Sequence, residues 1–393
     1  MPRDWDASKD TENDVPVYVI EAVDEAVKDC LPPGSEVLNI TPHRSSLWTR
    51  TAKIWTQQED GSDRSFFIKV LYGDNGKLNS RGEFASMTAL HAANPELTPR
   101  PIAVGTYQSD PKVHFFLCEF MDMTDELPDL HNFPAKLAKL HESSISPTGQ
   151  YGFETPPCLG VDRPHYHKLT DTWEEFFLNF FLDVAGYEEE VQGPDEEMAD
   201  LVKAIAEKVI PRLCRPLETG GRSIKPRLIH GDLWDGNPSV VIETGLPVIF
   251  DACSMYTHNE CNLNHFLEYD TLLTTALDEL APFVLPRHKM NRPYIKEYIK
   301  FYPPSEPVED FEDRVALYAT RFDIISSSVY PGNLRFRNLV KIEMRKLVDK
   351  YPNGYEDFKD TSVLAEPPSL PVSQQASYED FKDTSVLPNK FIS

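Results

Sequence analysis

The stretch from residue 227 to residue 251 constrains this chain more than any other. An apolar run leads into His230-Gly-Asp232, an asparagine follows at position 237, and a second apolar run ends at Asp251. Phosphoryl transfer from ATP needs one carboxylate to take the hydroxyl proton, and an amide with a second carboxylate to hold Mg²⁺. The spacing therefore predicts a phosphoryl-transfer site with Asp232 as the base and Asn237 and Asp251 as metal ligands. His230 is expected to hold the loop by hydrogen bonds.

Two residues upstream occur in the order that a nucleotide site needs. Lys69 lies within an apolar run that predicts a strand, and Glu83 lies near the start of a predicted helix at 82–90. In kinases a strand lysine contacts the phosphates and pairs with a helix glutamate. The ordinary alternatives are an edge-strand lysine that reaches solvent and an acid favoured by the helix dipole. The order of the two residues favours a role for both in a nucleotide site. It also argues against the alternative for residues 227–251, which is a coincidental hairpin with surface carboxylates.

Two further segments are expected to meet the nucleotide. Residues 43–50 link two predicted strands without a glycine, so phosphate binding there would rely on hydroxyl and backbone N–H groups of residues such as Ser45 and Ser46. A simple hairpin turn is the alternative. A later predicted strand ends at Glu119 and Phe120, where a hinge would expose backbone groups to adenine. The alternative for these two residues is a strand end without a ligand.

The order of the predicted elements indicates the fold class. Short apolar runs with turn signals predict antiparallel strands in the first third of the chain, and amphipathic helices follow. We predict an α+β chain with a two-lobed protein-kinase-like fold, which has an antiparallel-sheet N-lobe and a mainly helical C-lobe. Four parts are expected: a disordered N-terminus (1–15), a nucleotide-binding N-lobe (16–120), a catalytic and substrate-binding C-lobe (121–352) and a disordered tail (353–393). The predicted helices are 16–30, 82–90, 133–141, 173–184, 196–213, 271–285, 294–302, 311–329 and 338–351.

The tail carries a repeat. Residues 355–364, Tyr-Glu-Asp-Phe-Lys-Asp-Thr-Ser-Val-Leu, recur without change at 378–387. Two copies are too few for a solenoid. A local duplication and a docking motif are both open interpretations.

Charge and composition exclude several classes of partner. The formal net charge of -24 at pH 7 would repel nucleic-acid backbones and anionic membranes. The first ten residues lack the apolar segment of a secretory signal, and no apolar run is long enough for a membrane helix. Six scattered cysteines without a CxxC pair indicate reduced thiols. We expect a cytoplasmic protein with no nucleic-acid or membrane partner, and its oligomeric state stays open.

The central motif also carries a family resemblance. His230-Gly-Asp-Leu-Trp-Asp-Gly-Asn237, followed by Pro247-Val-Ile-Phe-Asp-Ala-Cys-Ser-Met-Tyr-Thr-His-Asn-Glu260, resembles the fructosamine/ketosamine-3-kinase family. Segments 45–54, 82–86 and 137–141 are also similar, and the resemblance covers roughly residues 35 to 348. That family is similar in fold to aminoglycoside and choline kinases.

The resemblance implies a substrate class and further residue roles. It implies that ATP, with Mg²⁺, phosphorylates the sugar 3-hydroxyl of a fructosamine or ribulosamine, carried by a protein or by a small amine. The product would be unstable and would release the free amine. The resemblance places Lys69 on the phosphates, and it places Trp234, His258 and Glu260 near the substrate. Packing and hydrogen bonds that hold the loop are the alternative for these last three.

The sequence departs from the family pattern at three places. Ala252-Cys-Ser254 replaces Pro-Ala-Ser, Asn262 replaces an expected acid, and the glycines of the nucleotide loop are missing. Two rival functions therefore stay open. One is a kinase of another small hydroxylated amine, as aminoglycoside and choline kinases are. The other is a catalytically silent pseudokinase that binds partners through the repeated tail, although the complete catalytic set argues against it.

Overall fold

The N-terminal part of the molecule is built on a five-stranded antiparallel sheet. The computed structural model describes residues 15–45, 49–157, 163–266, 290 and 292–360. The strands are β1 (Glu36–Ser45), β2 (Arg50–Gln57), β3 (Asp63–Tyr72), β4 (Pro101–Thr106) and β5 (Val113–Glu119). Their order in the sheet is β1-β2-β3-β5-β4. The first three strands thus form an antiparallel meander, as expected for the antiparallel strands predicted there, and β5 lies between β3 and β4.

Strand β3 shows why Lys69 faces away from the core of the sheet. Phe66, Ile68 and Val70 are fully buried and belong to an apolar cluster that covers one face of the sheet. Side chains alternate along a strand, so Lys69 lies on the other face. There it is paired in register with Phe116 of β5.

The predicted helix at 16–30 is wrong. A 3₁₀ turn at Val17–Ile20 and a short helix α1 (Glu25–Lys28) replace it, because the backbone at Asp24 is extended. The Asp24 carboxylate accepts a hydrogen bond from the backbone N–H of Gln108 at 2.7 Å. This tertiary bond joins residues that are 84 positions apart, and local periodicity carries no sign of it.

The helix that carries Glu83, α2 (Gly73–Ala93), begins earlier than predicted. Gly82 is a buried position within it and does not mark its start. Another glycine of the same helix, Gly76, lies so near β3 that a Cβ there would be 2.9 Å from the backbone of Leu71. We infer that the missing side chain at Gly76 allows the helix to pack closely on the sheet. The prediction that the helix begins at Gly82 is wrong.

Helices dominate the described chain after residue 120, as predicted. They are α3 (Asn132–Ser143), α4 (Trp173–Gln192), α5 (Glu196–Ala204), α6 (Ile210–Cys214), α7 (Arg292–Phe301), α8 (Phe311–Val329) and α9 (Arg335–Lys350). The 3₁₀ segments of this part are Arg215–Glu218, Asn259–Phe266, Val308–Asp310 and Gly354–Asp357. Four short strands form two antiparallel pairs, β6 (Arg227–Ile229) with β9 (Met255–Thr257) and β7 (Pro238–Val240) with β8 (Pro247–Ile249).

The predicted fold class, an antiparallel sheet followed by a mainly helical region, is confirmed. The predicted helix at 196–213 is interrupted by a π-helical turn at Ile205–Val209. The predicted helix at 271–285 and the repeat beyond residue 360 lie outside the described residues. No helix in the described ranges is long and apolar enough to cross a bilayer. None of the five described cysteines forms a disulfide.

Candidate active site

The loop of the central motif begins after β6 and is held by its own histidine. His230 is fully buried. Its Nε2 lies 2.9 Å from the carbonyl oxygen of Phe250, and the backbone N–H of Asp232 donates to its Nδ1 at 3.3 Å. These partners require a neutral ring with the proton on Nε2. Burial lowers the pKa of His230 to about 4, so the ring is neutral at pH 7 and holds the loop.

Gly231 lets this loop approach another backbone segment. Its φ is 83°, and a Cβ at this position would overlap the carbonyl oxygen of Cys253. The N–H of Cys253 donates to the carbonyl oxygen of His230 at 2.9 Å, which keeps the two segments together. Only glycine combines this φ with so close an approach.

Asn237 orients Asp232. Its Nδ2 donates to the Asp232 carbonyl oxygen at 2.6 Å and to the carboxylate Oδ2 at 3.0 Å. Burial raises the pKa of the Asp232 carboxyl well above its ordinary value, the charge of Asp251 adds to the rise, and the bond from Asn237 opposes it. A carboxylate with a raised pKa is a better proton acceptor, which suits a general base.

Lys69 connects the sheet to the second aspartate of the motif. Its Nζ lies 2.8 Å from Oε2 of Glu83 and 2.5 Å from Oδ1 of Asp251. Burial lowers the pKa of the Lys69 ammonium, but the charges of Asp251 and Glu83 outweigh burial and raise the pKa. Burial acts to raise the pKa of Asp251, and the nearby Lys69 charge lowers it overall. The structure thus brings together three residues that the sequence selected from separate segments.

The backbone at Asp251 is unusual. Its φ of 60° is the only positive value among the described residues that are not glycine. Aspartate tolerates this left-handed conformation better than most residues, at some cost in energy. Beyond it, the N–H of Ser254 donates to the Ser86 hydroxyl at 2.9 Å. Ser86 lies one turn after Glu83 in α2, so one helix holds both the partner of Lys69 and the segment that follows Asp251.

The oxygen atoms near Asp251 fit Mg²⁺. The Asp251 side chain is 50% exposed despite its contact with Lys69. Asn237 uses its amide nitrogen for the bonds to Asp232, which leaves the amide oxygen for another partner. Among the described residues, no group of three His, Cys, Asp or Glu side chains could hold a metal. This small donor set suits Mg²⁺, which is usually held by one or two carboxylates together with phosphates and water.

The predicted phosphate-binding loop is shorter than expected. Strand β1 continues to Ser45, which pairs with Arg50 at the start of β2. Ser46 lies outside the described residues. The hydroxyl of Thr51 donates to the carbonyl oxygen of His43, so a hydroxyl group at this end of the hairpin holds the two strands together.

Lys53 lies near the predicted hinge and was missed by the sequence reasoning. Its ammonium is 3.8 Å from the ring centre of Trp55 and 4.0 Å from that of Phe120. The register of β2 and β3 puts Lys53 on the same face as Lys69, and the alternation along β2 was the available signal. The N–H groups of Glu119 and Phe120 donate to carbonyl oxygens of neighbouring segments. Neither N–H is therefore available to a bound base.

Trp234 is the exposed member of the three residues expected near the substrate. Its side chain is 40% exposed, two positions after Asp232. The ring lies over Gly236, where a Cβ would overlap it. An exposed aromatic ring beside the predicted base is suited to contact a bound molecule.

His258 and Glu260 are instead buried in the helical region. His258 contacts the Tyr318 hydroxyl at 3.1 Å through Nδ1, and burial lowers its pKa to about 4. Glu260 accepts hydrogen bonds from Arg314 at 2.7 and 3.0 Å and from the backbone N–H of Ser305 at 2.8 Å. These contacts favour the alternative for both residues, which is that they hold the segment after the motif.

Asn262 has a role that the sequence reasoning did not anticipate. It replaces an acid expected by resemblance, and its Oδ1 accepts a hydrogen bond from the backbone N–H of His230 at 3.1 Å. An amide oxygen can accept this bond as a carboxylate oxygen would. In this chain Asn262 therefore supplies a contact that holds the motif loop.

Comparisons with known proteins agree with this geometry. The family model described as fructosamine kinase matches residues 49–275. Ketosamine-3-kinase from Mus musculus is 29% identical over 229 residues, which is 53% of this chain and 71% of the mouse protein. Chloroplastic protein-ribulosamine 3-kinase from Oryza sativa subsp. indica is 30% identical over 202 residues. That match covers 50% of this chain and 54% of the rice protein, so the chain spans about half the length of that relative.

Solved structures share the fold at low sequence identity. A protein assigned as a fructosamine-3-kinase from Thermobifida fusca has a TM-score of 0.56 at 20% identity and covers 80% of this chain, with 95% of its own length matched. A thermostable mutant of aminoglycoside phosphotransferase APH(4)-Ia, in ternary complex with AMP-PNP and hygromycin B, has a TM-score of 0.51 at 14% identity, with 80% and 94% covered. These likenesses confirm the kinase-like fold. The family model covers more than half of the chain and includes the whole central motif, and the chain therefore belongs to the fructosamine kinase family.

Proposed function

We propose that this protein is an ATP-dependent ketosamine kinase that phosphorylates the sugar 3-hydroxyl of a ribulosamine or fructosamine. The observation that carries the proposal is the contact of the Lys69 ammonium with both Glu83 and Asp251, at 2.8 and 2.5 Å. It joins residues from β3, α2 and the central motif into the set that phosphoryl transfer from ATP requires. Family membership supports the ketosamine as acceptor.

Each residue of the site has its own proposed role in phosphoryl transfer. Asp232 takes the proton of the acceptor hydroxyl, and Asn237 keeps its carboxylate in place. The acceptor oxygen forms a bond to the γ-phosphorus, and the bond from that phosphorus to the bridging β–γ oxygen breaks and releases ADP. Lys69, held by Glu83, neutralises charge on the phosphate oxygens.

Asn237 and Asp251 are proposed to hold Mg²⁺, which would neutralise phosphate charge when bound. Trp234 is proposed to contact the acceptor sugar. The backbone carbonyl groups near Glu119 and Phe120, and the segment with Ser45 and Ser46, are proposed to meet the nucleotide. A phosphorylated ketosamine on a protein amine would then break down and restore the amine, which makes glycated proteins or small ketosamines the substrates. A cytoplasmic location stays a prediction.

The test compares ATP consumption by the wild type and by Asp232→Asn, with ribulosyl-lysine and fructosyl-lysine as acceptors. We expect Asp232→Asn to lose at least about a hundredfold in rate, because removal of a general base costs that much. Asp60→Asn is the matched control. Asp60 is an exposed turn residue between β2 and β3 that accepts a bond from Ser62, and asparagine can accept the same bond.

The outcomes separate the rival functions. Wild-type protein that consumes no ATP with any ketosamine would contradict the proposal. Turnover of an aminoglycoside or choline instead would identify a kinase of another small hydroxylated amine. ATP consumption that Asp232→Asn retains in full would mean that Asp232 is not the base.

A further inference from the structure

Two serines of helix α2 are buried, and their hydroxyl groups have different kinds of partner. Ser80 and Ser86 are 1% and 0% exposed. The Ser80 hydroxyl donates to the carbonyl oxygen of Lys77 at 3.2 Å, which is a bond within the helix itself. The Ser86 hydroxyl oxygen instead accepts a hydrogen bond from the backbone N–H of Ser254 at 2.9 Å, and these two residues are 168 positions apart. A helical serine commonly bonds to the backbone of its own helix, so the bond of Ser86 to a distant segment is the unusual one.

Ser254 belongs to the short segment that follows Asp251. It lies three positions after Asp251 and is 0% exposed. Its neighbour Cys253 is bonded to the motif loop, because the N–H of Cys253 donates to the carbonyl oxygen of His230 at 2.9 Å. The bond to Ser86 leads the other way and joins this segment to α2. Since the Ser254 N–H is buried, loss of the Ser86 hydroxyl would leave it without a partner, at a cost in free energy.

The same helix also contacts Asp251 through Lys69. Glu83 precedes Ser86 by three positions, so the two side chains lie on one face of α2. The Lys69 ammonium joins the Glu83 carboxylate to the Asp251 carboxylate, at 2.8 and 2.5 Å. The contacts therefore close a ring in which α2 is connected to the side chain of Asp251 through Lys69 and to the backbone beyond it through Ser254.

We propose that Ser86 is a positioning residue for Asp251. By accepting the N–H of Ser254, it holds the backbone in which Asp251 has a φ of 60°, and this fixes the direction of the carboxylate. A strained conformation of this kind persists only when its surroundings hold it. The inference rests on the proposed function, in which Asp251 and Asn237 hold Mg²⁺. Mg²⁺ demands near-ideal octahedral geometry, so a small displacement of the carboxylate weakens its binding.

The first test measures nucleotide binding to the protein without an acceptor, from the dependence of Tm on ATP concentration. The Kd is obtained for ATP with Mg²⁺ and for ATP with a chelator. We expect Ser86→Ala to weaken the binding of ATP with Mg²⁺ by between about fivefold and fiftyfold, which is part of the cost of a buried donor without a partner. Binding of ATP with the chelator should change by less than about twofold, because Lys69 still meets the phosphates.

Ser80→Ala is the matched control. It removes an equally buried hydroxyl from the same helix, but that hydroxyl bonds only within the helix. Ser80→Ala should therefore bind ATP with Mg²⁺ within about twofold of the wild type.

A second variant covers the case in which Ser86→Ala does not fold. We expect Ser86→Ala to lower Tm by less than about 10 °C and to remain folded at the assay temperature. Ser86→Cys keeps the shape of the side chain but offers a weak acceptor, so it should weaken the binding of ATP with Mg²⁺ by about threefold to tenfold. If Ser86→Ala does not fold, Ser86→Cys is compared with the wild type in its place.

Kinetics with ribulosyl-lysine supply a second readout. Asp251 is proposed to act on the phosphates and not on the acceptor. Ser86→Ala should therefore lower kcat by about tenfold or more, while KM for the acceptor stays within about twofold of the wild type. A residue that only stabilised α2 would lower Tm and leave both kcat and the Kd of ATP with Mg²⁺ unchanged.

Two outcomes would overturn the inference. One is a folded Ser86→Ala protein that binds ATP with Mg²⁺ within about twofold of the wild type. The other is an equal loss in Ser80→Ala, which would assign the effect to any missing hydroxyl on α2. Failure of the proposed function would be visible in the wild type alone, as an absence of turnover with every ketosamine. Failure of this inference appears only in the variants, in a binding measurement that uses no acceptor.

Discussion

At the scale of single residues, the site depends on two positions with left-handed backbone. Gly231 and Asp251 have φ values of 83° and 60°. The first brings the motif loop against the backbone of Cys253, and the second presents the Asp251 carboxylate to Lys69. Strained backbone at a functional site persists when the surroundings hold it. Here the hydrogen bonds of His230 and the bond from Ser254 to Ser86 supply that restraint.

A prediction at this scale concerns Gly231→Ala. The new Cβ would meet a backbone carbonyl oxygen that cannot move aside. We expect the free energy of unfolding to fall by more than about 3 kcal/mol and ketosamine turnover to be lost. Gly245→Ala is the control, because Gly245 also has positive φ, at 66°, but a Cβ there has nothing within 4 Å. That change should lower the free energy of unfolding by about 1 kcal/mol, because only the cost of a positive φ for alanine applies there. Chemical denaturation of both variants measures the difference, and equal losses would refute the steric explanation.

At the scale of elements, the 3₁₀ segment Asn259–Phe266 links the motif loop to the helical core. Glu260 of this segment accepts a hydrogen bond from Arg314 on α8, and Asn262 accepts a hydrogen bond from the backbone N–H of His230. One short element is thus bonded both to α8 and to the loop that carries Asp232, so it fixes the loop relative to α8. This arrangement explains why a residue expected near the substrate is buried far from solvent.

The corresponding prediction is that Glu260→Gln acts on stability. Removal of the carboxylate charge leaves the fully buried Arg314 without its counter-ion, and such breaks cost about 3–5 kcal/mol. Glu197→Gln is the control, since Glu197 pairs with Lys341 while 48% exposed, and exposed pairs contribute about 1 kcal/mol or less. Denaturation curves and the acceptor KM should be measured together. A raised acceptor KM at unchanged stability would instead support a direct substrate role for Glu260.

At the scale of the whole molecule, the site is assembled from two structural regions. The sheet and its helix α2 supply Lys69 and Glu83, and the segment after β6 supplies Asp232, Asn237 and Asp251. A nucleotide bound between them would contact both regions at once. Its binding free energy would therefore add to the stability of the folded state.

The prediction at this scale is a magnesium-dependent thermal shift. ATP with Mg²⁺, at about a hundred times its Kd, should stabilise the wild type by about 2.7 kcal/mol. ATP with a chelator should stabilise it much less, because the phosphates would then face the acidic residues without a cation. Asp251→Asn should lose most of this magnesium dependence, and Asp60→Asn should retain it. Identical shifts in the wild type and Asp251→Asn would show that Asp251 does not hold the ion.

The sequence predicted those parts of the site whose geometry is local or follows from element order. Asp232 and Asn237 lie five positions apart in one loop, so their contact needs little beyond the loop itself. Lys69 and Glu83 were selected because a strand residue precedes a helix residue, and their side chains meet at 2.8 Å. Hydrophobic periodicity is also a local property of the sequence, and it predicts the sheet followed by helices.

Only the tertiary structure decided the surroundings of these residues. The burial of His258 and Glu260 depends on how α8 packs against the segment after the motif, and the bond from the backbone N–H of His230 to Asn262 depends on how that segment meets the motif loop. The partners in these contacts are distant in the chain: Arg314 and Glu260 are 54 positions apart, and His230 and Asn262 are 32 positions apart. Residue types and local spacing predict which groups can take part in phosphoryl transfer. Which of them reach solvent, and which are buried with or without a partner, is determined by contacts between segments distant in the chain, and a single sequence carries no local signal for those contacts.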